Sequence, residues 1–125
     1  MSTDVTSAPS ITGYESLNDR VFVMVSSTAS VVDATSPSRF HYFEQDGVIW
    51  GSYDGDTVVI GRFSGYRESD TVTINFVHLG INGATTSGPA TSVISTAADG
   101  TLLLTENFEG PNGTPEVSVC REVRA

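Results

Sequence analysis

Residues 40–63 read FHYFEQDGVIWGSYDGDTVVIGRF, a series of short aromatic and β-branched runs separated by two turn pairs. Asp46-Gly47 and Gly55-Asp56 are pairs of the kind that supply the positive φ angles of a two-residue hairpin. Val, Ile, Phe and Tyr, which fill the runs between them, favour strands. The stretch therefore predicts three consecutive antiparallel strands.

Similar short runs of strand-forming residues, separated by turn residues, continue to the end of the chain, with Asp99-Gly100 as a third strong turn. No window shows the helical spacing of apolar residues. An eight-stranded meander closes because closure removes both edge strands, and eight strands give the smallest barrel that holds one small ligand. The sequence thus predicts an all-β, eight-stranded antiparallel up-and-down barrel with strands at 21–26, 40–45, 48–54, 57–66, 71–79, 88–96, 101–109 and 116–123.

A length of 125 residues fits a single domain. Residues 1–19 are rich in Ser, Thr, Asp and Pro without an apolar period, which predicts a flexible leader that contributes nothing to the core. Residues 20–125 form the predicted barrel domain.

The chain carries 15 acidic residues against 6 basic ones, all Arg, for a net charge of −9. This balance opposes binding to nucleic acid or to an anionic membrane surface. The missing lysine excludes Schiff-base chemistry. One cysteine, Cys120, excludes an internal disulfide, and no secretion signal or membrane span is visible, so we expect a cytoplasmic protein.

Directly paired residues of a hairpin point to the same face, so the turns sort the side chains into two faces. Loops at Asp46-Gly47 and Gly55-Asp56 pair Phe43 with Trp50 and place Trp50 across Gly61. The face with most of the apolar volume and no carboxylate is expected inside: His41, Phe43, Val48, Trp50, Ser52, Val59, Gly61, Phe63, Val72, Ile74, Phe76 and His78. On the seventh strand Leu102, Leu104, Glu106 and Phe108 share a phase and are expected inside too.

An inward Glu106 needs a physical reason, because an unpaired carboxylate in an apolar interior costs several kcal/mol. One reading is that desolvation raises its pKa toward neutrality and makes it a catalytic acid or base, with His78 or His41 as proton partner. The other is that it lies near the barrel mouth, where it is exposed or pairs with Arg62 or Arg121. We predict Glu106 and His78 as catalytic residues.

The inward aromatic residues predict a lining for a flat or apolar molecule, although an ordinary packed core would use the same residues. The predicted ligand-binding residues are Trp50, His41, Phe43, Ser52, Phe63, Phe76, Phe108 and Leu104. No dinucleotide, serine-hydrolase or zinc motif is present, so no cofactor or metal is expected.

The chain resembles a family of small single-domain bacterial proteins often labelled N-acetylglutamate synthase. The resemblance runs from about residue 22 to 122 and rests on Phe40-His41-Tyr42, Asp46-Gly47, Tyr53, Gly55, Gly61, Gly65, Asp99-Gly100, Leu102, Leu104, Glu106, Phe108, Ser118 and Glu122. It implies a small calycin- or lipocalin-like barrel. An acetyltransferase would need an α/β fold and a coenzyme A loop, neither of which this sequence supplies, so that activity is not expected.

Two functions follow from these observations. The first is a cofactor-independent cyclase, isomerase or lyase that uses Glu106 on a small apolar or aromatic metabolite inside the barrel. The alternative is a binding or carrier barrel without chemistry. An apolar second face with Val58, Tyr53, Ile60, Val77 and Leu79 also predicts a homodimer through strands 3 to 5.

Overall fold

The structure, a computed structural model, describes residues 15–29, 32–110 and 113–124. Eight strands alternate with short connections in this part of the chain. They are β1 (Arg20–Ser27), β2 (Arg39–Gln45), β3 (Val48–Gly55), β4 (Val58–Glu68), β5 (Thr71–Gly80), β6 (Thr85–Thr96), β7 (Leu102–Glu109) and β8 (Pro115–Val123).

Each strand pairs antiparallel with the next, and β8 pairs with β1 to close the barrel. The closing register sets Val21 opposite Val123, with a bulge between Met24 and Ser26. The predicted fold class is thereby confirmed, and so is the strand order. None of the described residues forms a helix long and apolar enough to span a lipid bilayer.

The turn between β2 and β3 has the predicted form. Asp46 and Gly47 adopt φ angles of 50° and 82°, and Gln45 lies opposite Val48. Both central residues therefore have the left-handed conformation that a tight hairpin of this twist requires. The predicted pairing of Phe43 with Trp50 is confirmed as well.

The β3–β4 register differs from the prediction. The hairpin closes on Gly55 and Val58, and a bulge before Gly55 places Tyr53 opposite Gly61 and Trp50 opposite Ser64. The register is thus displaced by an odd number of residues, and such a displacement moves every side chain to the other face. The expected contact of Trp50 with Gly61 was wrong for this reason.

The β4–β5 register differs from the prediction by an even number of residues, so the side chains of both strands keep their predicted faces. Phe63 lies opposite Phe76 and Gly61 opposite His78, because the connecting turn is two residues shorter than expected. Val72 and Ile74 are buried as predicted, whereas Val59 next to a β4 bulge is exposed.

The packed core fills one half of the barrel. Its most deeply buried side chains are Leu17, Phe22, Ile49, Val72, Ile94, Leu102 and Leu104. Apolar burial of this kind supplies the main stabilisation of a domain without disulfides. The opposite half of the barrel is open.

Residues 15–19 cover the end of the barrel where β1 begins. Leu17 is fully buried, and its backbone N–H donates a hydrogen bond of 2.9 Å to Glu44 Oε1. Arg67 joins the same carboxylate at 2.9 Å, and Arg20 pairs with Glu122. The expectation that residues 1–19 contribute nothing to the core was wrong for Leu17; residues 1–14 lie outside the described part. A single apolar side chain among polar neighbours gives no period by which a core residue is recognised.

Candidate functional site

A cavity of about 450 Å³ opens at the end of the barrel opposite Leu17. Its mouth is formed by the β3–β4 turn with Asp56 and Thr57, by the start of β6, and by Glu109 and Gly110 after β7. The volume falls within the range of cavities that hold small organic ligands. The interior of this barrel is therefore not completely filled by its own side chains.

Aromatic rings form much of the cavity wall. Tyr53 stacks on Phe40 with ring centroids 4.8 Å apart, and the centroid of Phe63 lies 6.2 Å from that of Tyr53. Phe76 from β5 and Phe108 from β7 complete the aromatic part of the lining. These rings offer flat apolar surfaces to a bound molecule.

Two glycines let these rings lie flat against the barrel wall. A Cβ at Gly61 would collide with the Tyr53 ring, and a Cβ at Gly51 would collide with Phe63. The sequence expectation that an aromatic ring covers Gly61 was correct in kind, but the ring is that of Tyr53 rather than Trp50.

Glu106 points into the cavity from β7, between two buried serines on the neighbouring strands. Ser92 lies opposite it on β6 and Ser118 on β8, and both are 1% exposed. Tyr42 hydrogen-bonds Ser92, and the Ser118 hydroxyl donates to Ser27 at 2.9 Å. Thus the hydroxyl groups of both serines already take part in other hydrogen bonds.

The Glu106 carboxyl has no hydrogen-bond or ion-pair partner among the described residues. The alternative of a pair with Arg62 or Arg121 is contradicted, because Arg121 approaches Asp99 at 3.6 Å and Arg62 donates to the carbonyl of Gly61. Burial raises the pKa of Glu106 to about 7. The carboxyl can therefore gain or lose a proton near neutral pH.

His78 lies on the wall of the same cavity. One hydrogen bond of 2.7 Å joins its Nδ1 to the Tyr53 hydroxyl, and its ring stacks on Phe76 at 5.8 Å. Burial lowers the pKa of His78. The imidazole is consequently neutral at pH 7 and held by Tyr53.

The structure places four of the predicted ligand-binding residues on the outside of the barrel. Trp50 is 40% exposed and stacks on Phe43, which stacks in turn on His41. His41 Nε2 lies 2.7 Å from Asp19 Oδ1, and Ser52 pairs across the strands with His41. Their inward placement was wrong, because the β3 bulge reverses the faces of β2 and β3. His41 therefore cannot exchange protons with Glu106 inside the barrel.

The remaining predicted residues point inward. Phe63, Phe76, Phe108, His78 and Glu106 all line the cavity, whereas Leu104 is 2% exposed and belongs to the packed core. Phe40, Tyr53 and Met24 line the cavity although the sequence did not indicate them. The signal available for Phe40 and Tyr53 was weak, since both faces of β2 and β3 carry aromatic side chains.

The part of the chain that the structure describes contains no group of three His, Cys, Asp or Glu side chains able to hold a metal ion. Cys120 is buried, and burial raises the pKa of its thiol. A thiol of this kind is a poor nucleophile.

Comparison with known proteins yields one family. Neither a curated protein nor a solved structure matches the chain. A family described as avidin-like protein matches residues 15–123, from the segment that carries Leu17 through the last strand. The matched segment comprises all eight strands and the whole cavity lining, and the chain belongs to the avidin-like protein family.

Proposed function

We propose that the protein is a non-catalytic small-molecule binding barrel, which takes up an apolar or aromatic molecule in its one-ended cavity. The observation that carries the proposal is an open volume of about 450 Å³ lined by aromatic rings in a member of the avidin-like family. Members of that family are expected to bind small molecules. An aromatic wall with a few polar groups suits such a ligand.

Thermal unfolding in the presence of a library of small aromatic and heterocyclic molecules, biotin included, tests this function. A ligand that binds only the folded state raises the Tm, by mass action. Binding would then be quantified by calorimetry. A library in which no compound raises the Tm contradicts the proposal.

Two neighbouring residues of β5 provide a matched pair of variants for the location of the site. Phe76→Ala removes a ring from the cavity wall, while Val77→Ala changes the outer face, where Val77 is 45% exposed. Loss of a phenyl contact is expected to weaken binding about tenfold or more. Equal effects of both substitutions would place the ligand elsewhere.

A second candidate function is acid–base catalysis on the bound molecule, by a cofactor-independent cyclase, isomerase or lyase. A carboxyl with a pKa of about 7 inside the cavity favours it, because such a group transfers protons efficiently near neutral pH. A ligand recovered unaltered after long incubation supports simple binding. Turnover that Glu106→Gln abolishes supports catalysis.

We also infer that the protein forms a homodimer through the outer face of β3 to β5. Ile60 and Leu79 are paired neighbours there, exposed by 46% and 37%, and Val77 lies on the same face. Tyr53 and Val58 belong to the cavity instead and do not contribute to this surface. Burial of the exposed apolar side chains would favour association.

A further inference from the structure

The charges of the cavity wall are of one sign. Asp56, Glu106 and Glu109 line it, and among the described residues no arginine does so. His78, the one basic side chain that lines the wall in the described part of the chain, has a pKa lowered by burial and is neutral at pH 7. A cavity of this composition favours positive charge and opposes an anion.

Glu106 is the group within this wall that requires a partner. Its carboxyl lies deep in the barrel, faces the cavity, and has no hydrogen-bond or ion-pair partner among the described residues. A buried carboxylate without a partner is costly, and a cation brought by a ligand removes that cost. The surrounding rings add a second attraction, because aromatic faces attract cations.

We propose that the ligand of this cavity carries a basic nitrogen, protonated at neutral pH, which pairs with Glu106 while the apolar part of the molecule packs on the aromatic wall. This inference rests on the proposed binding function and narrows its ligand to molecules that join an apolar or aromatic body to an aliphatic amine or another strongly basic nitrogen. Phe63, Phe76 and Phe108 line the same cavity as the carboxyl, and Glu109 lies at its acidic entrance.

The other titratable groups near Glu106 do not compete for this role. Tyr42 on β2, Tyr53 on β3 and Cys120 on β8 all have pKa values raised by burial, with the charge of Glu106 as a further cause. The two phenols and the thiol therefore remain neutral at pH 7. His78 on β5 is neutral as well, so the ionisable group of the inner cavity near pH 7 is Glu106.

The test uses three probes with one skeleton: tryptamine, a cation; tryptophol, which is neutral; and indole-3-propionate, an anion. Isothermal titration calorimetry at pH 7 is expected to show tryptamine binding at least tenfold more tightly than tryptophol, and indole-3-propionate binding most weakly. Glu106→Gln keeps the shape of the side chain and removes its charge. It should reduce tryptamine affinity at least tenfold and leave tryptophol affinity unchanged, which also shows that the cavity is intact.

Proton release gives an independent readout. With a pKa of about 7, Glu106 is about half protonated at pH 7, and pairing with an ammonium group ionises it. Tryptamine binding should therefore release about half a proton, measured by calorimetry in buffers of different ionisation enthalpy. Tryptophol, or tryptamine with the Glu106→Gln protein, should release none. Glu68→Gln, at an exposed carboxylate at the end of β4 that does not line the cavity, is the matched control and should change tryptamine affinity less than threefold.

The inference is overturned if tryptophol or indole-3-propionate binds as tightly as tryptamine, or if Glu106→Gln leaves tryptamine binding unchanged; cavity binding itself would survive either result. It is also overturned if tryptamine fails to bind while other members of the small-molecule library raise the Tm. When no molecule of any charge binds, the proposed binding function fails with it.

Discussion

The ring of Tyr53 lies directly on the backbone of Gly61, the residue opposite it across β3 and β4. This contact couples the register of the hairpin to the shape of the cavity, because it holds the ring against the wall with its hydroxyl toward His78. A methyl group at position 61 would force the ring away from the wall.

Gly61→Ala is therefore expected to destabilise the protein by about 1–3 kcal/mol through overpacking. Gly88→Ala is the control, since a Cβ there would meet Phe76 at 3.8 Å, an ordinary contact distance. Urea unfolding of both variants gives the measurement. If the two substitutions cost the same, the ring contact does not fix this hairpin.

Leu17→Ala is expected to lower the free energy of unfolding by about 2–5 kcal/mol, as does truncation of other large apolar side chains in a core. The side chain is fully buried and lies at the covered end of the barrel. Ile81→Ala, at a side chain that is 70% exposed, should change the free energy of unfolding by less than about 0.5 kcal/mol. Chemical denaturation of both variants decides whether residues 15–19 belong to the folded domain.

Glu106 makes the stability depend on pH in a defined direction. Its pKa is about 7 in the folded protein and about 4.3 in an unfolded chain, so the folded state binds its proton more tightly. The contribution of Glu106 to the free energy of unfolding is fully present below about pH 4, declines as the pH rises, and is lost above about pH 7.

Glu106→Gln isolates this effect, because the other titrating groups are common to both proteins. Relative to that of the variant, the free energy of unfolding of the native protein should fall by about 3 kcal/mol between about pH 4 and pH 8. Denaturation midpoints measured across that range provide the comparison. A constant difference between the two proteins would mean that the carboxyl is not desolvated.

The proposed dimer predicts a concentration-dependent mass. Sedimentation at micromolar concentration should show a dimer, and Val77→Glu should convert it to a monomer by placing a charge in the apolar contact. Val117→Glu, on the outer face of β8 with similar exposure of 38%, should not. A native protein that sediments as a monomer removes this interface.

The barrel could be predicted from the sequence because three connections carry strong turn pairs, two more have hairpin length, and a meander of eight strands favours closure. The inward face of β7 was also predictable, since Leu104 and Phe108 alternate with Thr105 and Asn107, and Glu106 lies on the same face as the two apolar side chains. The inward phase of β2 and β3 was not. Its reversal depends on one extra residue before Gly55, and a bulge of that kind has no sequence signal as strong as an Asp-Gly turn.

The two ends of the barrel differ, because residues 15–19 cover one end and the cavity opens at the other. β1 begins and β8 ends beside each other there, with Val21 opposite Val123, while the cavity mouth lies at the far end with Asp56 and Gly110. The proposed ligand would enter through this mouth, and a linker or reporter attached after the last strand would lie about one barrel length away from it. The protein can thus be immobilised through the end of β8 with the mouth of the cavity facing the solution.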